Sequence, residues 1–260
     1  METALITGAS SGIGETFARQ LASKKTNLIL VARSQDKLEQ LATELSHKYQ
    51  IKTTVISQDL SQSSAGQNIF DQVQAKDLSV DLLINNAGFG DYGAFCDRPL
   101  SKQMTMIQLN IAALVELTGL FLPLMQQKGS RGIINVASIA GFQPIPYMSV
   151  YAATKAFVLS FSEALWAENK DKGVKILVSC PGPTESKFYE QADFPDSATG
   201  LNGMTMASTD QVVTETINAL EKGQSTIVPG GFANQIIVNL PRLIPRDLLV
   251  SAVGKQFKNI

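Results

Sequence analysis

Unbroken apolar runs that alternate with helical patterns are the feature that most constrains how this chain of 260 residues can fold. The strand-like runs are residues 4–7, 27–32, 55–57, 82–85, 133–136 and 176–179. Apolar runs without polar alternation are typical of strands covered on both faces, as in a parallel sheet. The main helical patterns are residues 12–23, 101–122, 150–170 and 209–221. The sequence predicts an α/β fold, a doubly wound parallel sheet with helices on both faces and ligands beyond the carboxyl ends of its strands.

No repeat or low-complexity linker divides the chain, so we predict one domain over 1–260. Within it, two segments depart from the alternation of strands and helices. Residues 184–207 mix Pro, Gly and Ser with large apolar side chains, namely Phe188, Tyr189, Phe194 and Met204. We interpret this segment as a mobile substrate lid, with an ordinary surface excursion as the alternative. Residues 230–260 form a C-terminal extension of short helices, for subunit contact, substrate cover or a membrane surface.

Composition excludes several classes of function. A net charge of −1 gives no bulk attraction to nucleic acid or to an anionic membrane. The single histidine, His47, lies in a polar stretch, so Ser-His-Asp chemistry and multi-histidine metal sites are not expected. Cys96 and Cys180 fit neither a disulfide framework nor a metal site and are compatible with a reducing cytosol. With no signal peptide and no long uninterrupted apolar stretch, we expect a cytoplasmic protein without a spanning helix.

A glycine-rich turn follows the first strand and is the first candidate binding site. Its sequence, from residue 7 to 14, is Thr-Gly-Ala-Ser-Ser-Gly-Ile-Gly, and its candidate cofactor residues are Gly8, Ser10, Ser11, Gly12, Ile13 and Gly14. Glycines permit a tight turn and let the backbone approach a pyrophosphate, which the N-terminus of the following helix can also attract. The spacing differs from the Gly-x-Gly-x-x-Gly fingerprint, and a purely structural turn is the alternative.

The end of the second strand bears on the choice of nucleotide. An NAD-binding domain usually has an acidic residue here, against the ribose hydroxyls. This chain has Ala32, Arg33 and Ser34 instead. Arg33 can hold a 2′-phosphate by a charge-assisted hydrogen bond, and Ser34 is also a plausible N-cap for the next helix. An arginine at a strand end is more often solvated, and only the preceding glycine turn favours the phosphate.

Tyr151 and Lys155 begin a predicted helix and lie on one of its faces, because residues four apart are neighbours there. A nearby ammonium favours the phenolate and lowers the pKa of a tyrosine, although such a pair also occurs by chance on surfaces. Ser138 ends another strand and can hydrogen-bond a substrate oxygen. Asn110 lies within a helical pattern that disfavours asparagine, which hints at a local functional distortion.

Together these elements resemble the short-chain dehydrogenase/reductase family, closely over about residues 3–185. The turn at residues 7–14 matches the family's nucleotide turn. The sequence also has the family's Asn-Asn-Ala-Gly element, its Asn-Ser-Tyr-Lys tetrad, its Pro-Gly segment near the nicotinamide and its adenine contact. The corresponding residues are Asn85, Asn86, Ala87 and Gly88; Asn110, Ser138, Tyr151 and Lys155; Pro181, Gly182, Pro183 and Thr184; and Asp59 and Leu60. Residues 32–45 and the proline-rich C-terminal tail resemble those of bacterial members of the family's NADP-preferring branch.

The resemblance implies a Rossmann-like sheet of about seven strands, NADP(H) as cofactor and a homodimer or homotetramer formed through helices 101–122 and 150–170. It implies that Tyr151 donates the proton to a carbonyl oxygen and that Ser138 polarises that oxygen. Lys155 would lower the pKa of Tyr151 and bind the nicotinamide ribose. Asn110 would hold a water that links Lys155 to solvent.

Three functions remain open. The first is an NADPH-dependent carbonyl reductase or alcohol dehydrogenase that acts on a hydrophobic ketone or aldehyde. The second, a 3-oxoacyl thioester reductase of fatty-acid synthesis, would share every motif. The third, an NADPH-binding regulator without catalysis, would not need Tyr151 and Ser138. NADPH consumption with a panel of carbonyl compounds separates the three.

Overall fold

One parallel sheet forms the centre of the protein in a computed structural model that describes residues 2–129, 132–195 and 206–258. The strands are β1 Thr3–Thr7, β2 Asn27–Ala32, β3 Thr53–Ser57, β4 Leu82–Asn85, β5 Gly132–Val136, β6 Lys175–Ser179 and β7 Thr226–Ile227. Their order across the sheet is β3-β2-β1-β4-β5-β6-β7, with every pair parallel. The strand order reverses between β1 and β4, so a ligand crevice is expected at their carboxyl ends.

Helices cover both faces of this sheet. They are α1 Gly12–Ser23, α2 Gln35–Tyr49, α3 Ala65–Ala75, α4 Leu100–Ile107, α5 Ala113–Lys128, α6 Ser149–Asn169, α7 Phe188–Gln191, α8 Thr209–Glu221, α9 Phe232–Asn239 and α10 Arg246–Lys258. One apolar core contains Phe17 and Leu21 of α1, while another contains Phe121 of α5. The central strands are mainly apolar because both of their faces are buried, which confirms the predicted fold class.

The structure also differs from the expectations in detail. Helix α3 and the two-residue strand β7 were not identified from the sequence. Ser34 precedes α2, but its side chain makes no capping hydrogen bond. The helix predicted over 101–122 is longer and is interrupted by a π-helical turn at Gln108–Ala112, which contains the buried Asn110. The suspected distortion at Asn110 is confirmed, since π turns insert an extra residue into a helix, often at functional sites.

The stretch from α4 to α5, Leu100–Lys128, is long and apolar enough to cross a membrane by length and composition alone. In the structure it belongs to the helix layer over the sheet. Glu116 accepts a hydrogen bond of 2.9 Å from the backbone N–H of Gly66 at the start of α3. Gln126 donates one of 2.6 Å to Asn169 at the end of α6. These contacts hold the stretch against neighbouring helices of the same layer.

The predicted lid and the C-terminal extension both pack near the carboxyl end of the sheet. Thr184 forms an isolated parallel bridge with Ala207, and α7 lies between them. Residues 196–205, which include Met204, lie outside the described residues. The extension contains the helices α9 and α10, where the sequence predicts short helices. Leu249 and Val253 of α10 are buried in an apolar cluster with Tyr151.

Candidate active site

A cavity of about 1120 Å³ opens at the carboxyl edge of the sheet. It runs along the reversal in strand order that the fold predicts as a ligand site. All but two of the predicted site residues line it. The exceptions are Gly14 and Asn110. The structure therefore brings the nucleotide turn, the end of β2 and the tyrosine-lysine pair to one cavity.

The glycines of the turn let its backbone pack closely on the loop after β4 and on itself. Gly8 has φ +66°, and a Cβ there would lie 2.8 Å from Nδ2 of Asn86. Asn86 in turn donates a hydrogen bond of 2.9 Å to the carbonyl oxygen of Thr7. A Cβ on Gly14 would lie 2.2 Å from the carbonyl oxygen of Gly8, so Gly14 lets α1 pack on the turn. We predicted that Gly14 touches the cofactor, but its position fits a packing role.

The N-terminus of α1 faces the cavity through Ser10, Ser11, Gly12 and Ile13. Ser11 precedes the helix without a side-chain capping bond. The first N–H groups of a helix have no partner within the helix, and the helix dipole adds positive charge there. Together with the close approach at Gly8, this arrangement fits the pyrophosphate of a dinucleotide.

The other end of the cavity is cationic. Arg33 is exposed and lines the cavity beside Ser34, as predicted. Lys37, in the first turn of α2, also lines it, and sequence reasoning missed this residue. Asp59 lines the cavity nearby, with its carboxylate accepting hydrogen bonds of 2.9 and 2.8 Å from the N–H and hydroxyl of Ser61. Although burial opposes it, the hydrogen bonds from Ser61 hold the pKa of Asp59 below its usual range.

Ser138, Tyr151 and Lys155 meet at the inner end of the cavity. Tyr151 and Lys155 lie one turn apart on α6, and Lys155 Nζ is 5.8 Å from the centre of the Tyr151 ring. Lys155 Nζ donates a hydrogen bond of 2.9 Å to the carbonyl oxygen of Val136, which ends β5. Ser138 follows β5, and its hydroxyl accepts a hydrogen bond of 3.1 Å from the N–H of Ala140.

Burial dominates the electrostatics of the pair. It raises the pKa of Tyr151, and the Ser138 hydroxyl partly offsets this by hydrogen bonding. Burial also lowers the pKa of Lys155 to about 8. We expected the ammonium of Lys155 to lower the pKa of Tyr151, but burial raises it instead. The tyrosine is therefore protonated at neutral pH, the form that an acid needs to protonate a carbonyl oxygen.

Asn110 supports this site from behind the cavity wall. Its Oδ1 accepts a hydrogen bond of 3.1 Å from the N–H of Phe89, and its Nδ2 donates to the carbonyl oxygen of Phe89 at 3.0 Å. Nδ2 also donates to Thr154 Oγ1 at 3.1 Å. A Cβ on Gly88 would lie 2.9 Å from Asn110 Oδ1. The side chain thus fixes the loop after β4, and its role with a water molecule stays a prediction.

The Pro-Gly segment joins the cavity to the C-terminal extension. Pro181, Gly182 and Thr184 all line the cavity. A Cβ on Gly182 would lie 2.5 Å from Nδ2 of Asn234, so only glycine lets the segment pack on α9. Thr184 Oγ1 donates a hydrogen bond of 2.9 Å to the carbonyl oxygen of Gly182, which fixes the start of the predicted lid.

Apolar side chains form the part of the cavity beyond Tyr151. Phe188, Tyr189 and Phe194 of the predicted lid line it. The Phe188 and Tyr151 ring centres are 5.2 Å apart. Sequence reasoning missed several other wall residues, namely Ile145, Met148, Leu249 and Val253. Their apolar character is that of ordinary core positions, so only the fold shows that they face a cavity.

A charged cluster fastens the described part of the lid to α4. Asp91 is buried and pairs with Arg98 and Lys102, at 2.5 and 2.7 Å. Asp193, which follows α7, pairs with the same two cations. Although burial opposes it, hydrogen bonds from Arg98 and Lys102 hold the pKa of Asp91 below its usual range. Two acids therefore share two cations, one of which, Lys102, also lines the cavity.

These features define a Rossmann-like protein with a nucleotide-binding turn and a buried tyrosine-lysine pair. A sequence profile of the short chain dehydrogenase family matches residues 2–194. The chain therefore belongs to the short chain dehydrogenase family.

Individual relatives vary in name and coverage. The very-long-chain 3-oxoacyl-CoA reductase of Bos taurus is 35% identical over 189 residues, which make up 69% of this chain and 58% of the relative. A short-chain dehydrogenase from Sphingobium yanoikuyae, solved in complex with NADPH, is 29% identical with TM-score 0.82, over 100% of this chain and 96% of that one. The bulky-bulky ketone specific alcohol dehydrogenase of Comamonas testosteroni is 29% identical with TM-score 0.79, over 96% and 94%.

Proposed function

We propose that this protein is an NADPH-dependent carbonyl reductase that acts on a hydrophobic ketone or aldehyde, or on the corresponding alcohol in reverse. One observation carries the proposal. Ser138, Tyr151 and Lys155 meet in the same cavity whose other end has the glycine turn and the cations Arg33 and Lys37. A hydride transfer needs such an arrangement, because cofactor and carbonyl carbon must lie side by side next to an acid.

The residues present fit NADPH along the whole cavity. Gly8 and the N-terminus of α1 would hold the pyrophosphate, and Arg33 with Lys37 the 2′-phosphate. Lys155 would hold the nicotinamide ribose, near the Pro181-Gly182 segment. The bound nicotinamide supplies the hydride. Similarity to a dehydrogenase solved in complex with NADPH supports this assignment.

The protein's own part in the reaction is proton transfer and positioning. The Ser138 hydroxyl donates a hydrogen bond to the substrate carbonyl oxygen and polarises it. Tyr151 Oη then gives its proton to that oxygen as negative charge develops there. Burial keeps Tyr151 protonated before the transfer. Burial lowers the pKa of Lys155 to about 8, near neutral pH, so this side chain can exchange a proton during turnover.

The substrate region favours an apolar group beside the carbonyl. Its walls carry Phe188, Met148, Leu249 and Val253 around the position of Tyr151. Burial of an apolar substituent there contributes roughly 25 cal/mol per Å² of surface removed from water. Similarity to an alcohol dehydrogenase specific for bulky-bulky ketones supports this reading.

A 3-oxoacyl thioester reductase is the second candidate. The relative named very-long-chain 3-oxoacyl-CoA reductase supports it, although the matched region is only 58% of that protein's length. An acyl chain could occupy the apolar region, and its 3-oxo group would meet Tyr151 as any ketone would. The two candidates differ at the cavity mouth. The carrier of a thioester substrate would extend out of the protein there, whereas a simple ketone has no carrier.

Turnover on a defined panel tests both candidates. We expect NADPH oxidation with bulky apolar ketones, measured as kcat/KM and compared with short- and long-chain 3-oxoacyl thioesters. Tyr151→Phe should retain NADPH binding but lose about 10²- to 10⁴-fold in kcat. Tyr49→Phe, far from the cavity on α2, is the matched control and should keep full activity. NADPH binding without turnover on any carbonyl would contradict both candidates and favour the regulator.

We also propose that the protein forms a homodimer through α4 and α6. Leu100, Met104 and Ile107 are exposed apolar residues at helical spacing on α4, and Phe157 is exposed on α6. A row of apolar side chains of this kind marks a contact surface. Light scattering should give twice the chain mass, and Phe157→Glu should shift it to the monomer. A monomeric wild type would contradict the dimer.

A further inference from the structure

A row of exposed apolar side chains follows the outer face of the C-terminal extension. Phe232, Ile236 and Leu240 are spaced four residues apart, so they lie along one side of α9 and the turn after it. Leu243 extends this apolar region along the chain. The exposed fractions are 79% for Phe232, 51% for Ile236, 47% for Leu240 and 84% for Leu243. Contiguous apolar surface on a folded domain usually marks an interaction site.

This surface is continuous with the mouth of the cavity. Leu240 both belongs to the exposed row and lines the cavity. Leu248 of α10 does the same and is 64% exposed. The exposed apolar row therefore adjoins apolar side chains of the cavity wall.

Charge on the adjacent helix indicates what covers the row. Within α10, Arg246, Lys255 and Lys258 are exposed and Asp247 is the acidic residue, which gives this helix a net charge of +2. The whole chain has −1, so the positive charge is local. Lys255 lies two turns after Leu248 and therefore on the same side of α10. Apolar and basic side chains that share a helical surface are typical of helices that lie in a membrane interface.

We propose that α9, α10 and the turn between them bind the surface of an anionic lipid bilayer, with the cavity mouth open to the lipid. A second copy of the chain would cover the apolar row less well. A twofold contact uses the same patch on both partners, so it would bring the net positive charge of both copies of α10 into one interface. Lipid phosphate groups neutralise that charge. The proposal concerns where the protein binds and not which reaction it catalyses. Vesicle binding is measured without turnover, so its result does not depend on the proposed reaction.

Cosedimentation of the full chain with vesicles tests the proposal. We expect binding to vesicles of phosphatidylcholine and phosphatidylglycerol, and much weaker binding to phosphatidylcholine alone. Phe232→Gln should weaken binding about tenfold, because burial of a phenylalanine in the interface is lost. Phe95→Gln is the matched control, since Phe95 is also exposed but lies in a different part of the fold. Neither residue lines the cavity, so NADPH binding should stay unchanged in both variants.

The lysines give a second, electrostatic test. Each basic residue near an anionic surface strengthens binding about fivefold, so Lys255→Gln with Lys258→Gln should weaken it on the order of 20-fold and reduce its salt dependence. Lys52→Gln, an exposed lysine on the far side of the sheet before β3, should bind as wild type does. Failure to bind anionic vesicles, or equal loss in Phe232→Gln and Phe95→Gln, would overturn the proposal. So would a wild-type oligomer that Phe232→Gln dissociates in the absence of lipid.

Discussion

Replacing the buried Lys155 by methionine should make the protein more stable while it abolishes the reaction. Lys155 is only 5% exposed, and burial lowers its pKa from 10.5 to about 8. The folded state therefore holds the proton less tightly than the unfolded chain does. Methionine keeps most of the length of the side chain and removes the charge, so the desolvation cost disappears.

The magnitude follows from the shift in pKa. One pKa unit corresponds to about 1.36 kcal/mol, so the depressed pKa of Lys155 costs the folded state about 3 kcal/mol at pH 7. The cost is complete below pH 8 and falls as pH rises toward 10.5, which leaves about 1.4 kcal/mol at pH 9.5. Loss of the hydrogen bond to Val136 subtracts about 1 kcal/mol. Lys155→Met should thus gain about 2 kcal/mol at pH 7 and almost nothing at pH 9.5.

Urea denaturation at both pH values measures this difference, at one protein concentration because the proposed subunit contact would also affect stability. The difference in free energy of unfolding between wild type and variant removes the effect of titratable groups that do not interact with Lys155. Lys52→Met, at an exposed position, should change the free energy of unfolding by less than about 0.5 kcal/mol. A Lys155→Met variant that is less stable at pH 7, or a gain that does not depend on pH, would refute the desolvation argument.

Three further predictions concern cofactor choice and the cavity mouth. Arg33→Ala should lower kcat/KM for NADPH about 10- to 100-fold and leave NADH nearly unchanged; equal loss for both would refute the phosphate contact. Tyr92→Phe removes a 2.5 Å hydrogen bond to the carbonyl oxygen of Phe257, so amide exchange in α10 should accelerate while β1 keeps its protection. Asp193→Asn should accelerate amide hydrogen exchange in residues 184–195. In wild type, NADPH with substrate should slow exchange in the same residues. High protection in every state would show that this segment is no lid.

Much of the fold could be predicted because burial on both faces of a parallel sheet leaves a strong pattern. The run at 27–32 coincides with β2, and the pattern at 12–23 coincides with α1. Strand β7 has two half-buried residues and so gives no such pattern. Helix α3 follows a polar stretch and starts without a capping hydrogen bond, so its beginning carried no signal.

The candidate site also has residues that the sequence predicts and residues that it does not. Side chains with distinctive chemistry in a fixed order, such as Tyr151 and Lys155, could be placed on one helix face from their spacing. Lys37 also had a signal, because it follows Arg33 by four residues at the start of a helix. Leu249 and Val253 had none, since a leucine that lines a cavity and one that fills a core look alike in sequence. Their position depends on how α10 returns to the sheet, about 100 residues after Tyr151.

From the spacing of Tyr151 and Lys155 we expected a lowered pKa for the tyrosine, but burial raises it. The direction of this shift bears on the mechanism. Spacing gives the distance between Tyr151 and Lys155 but not the solvent exposure of either side chain. With both buried, the tyrosine keeps its proton and the lysine is close to losing one. A protonated tyrosine favours carbonyl reduction, whereas alcohol oxidation needs the phenolate as base. Burial therefore favours the protonated tyrosine that reduction needs, and added positive charge beside the ring would favour the phenolate that oxidation needs.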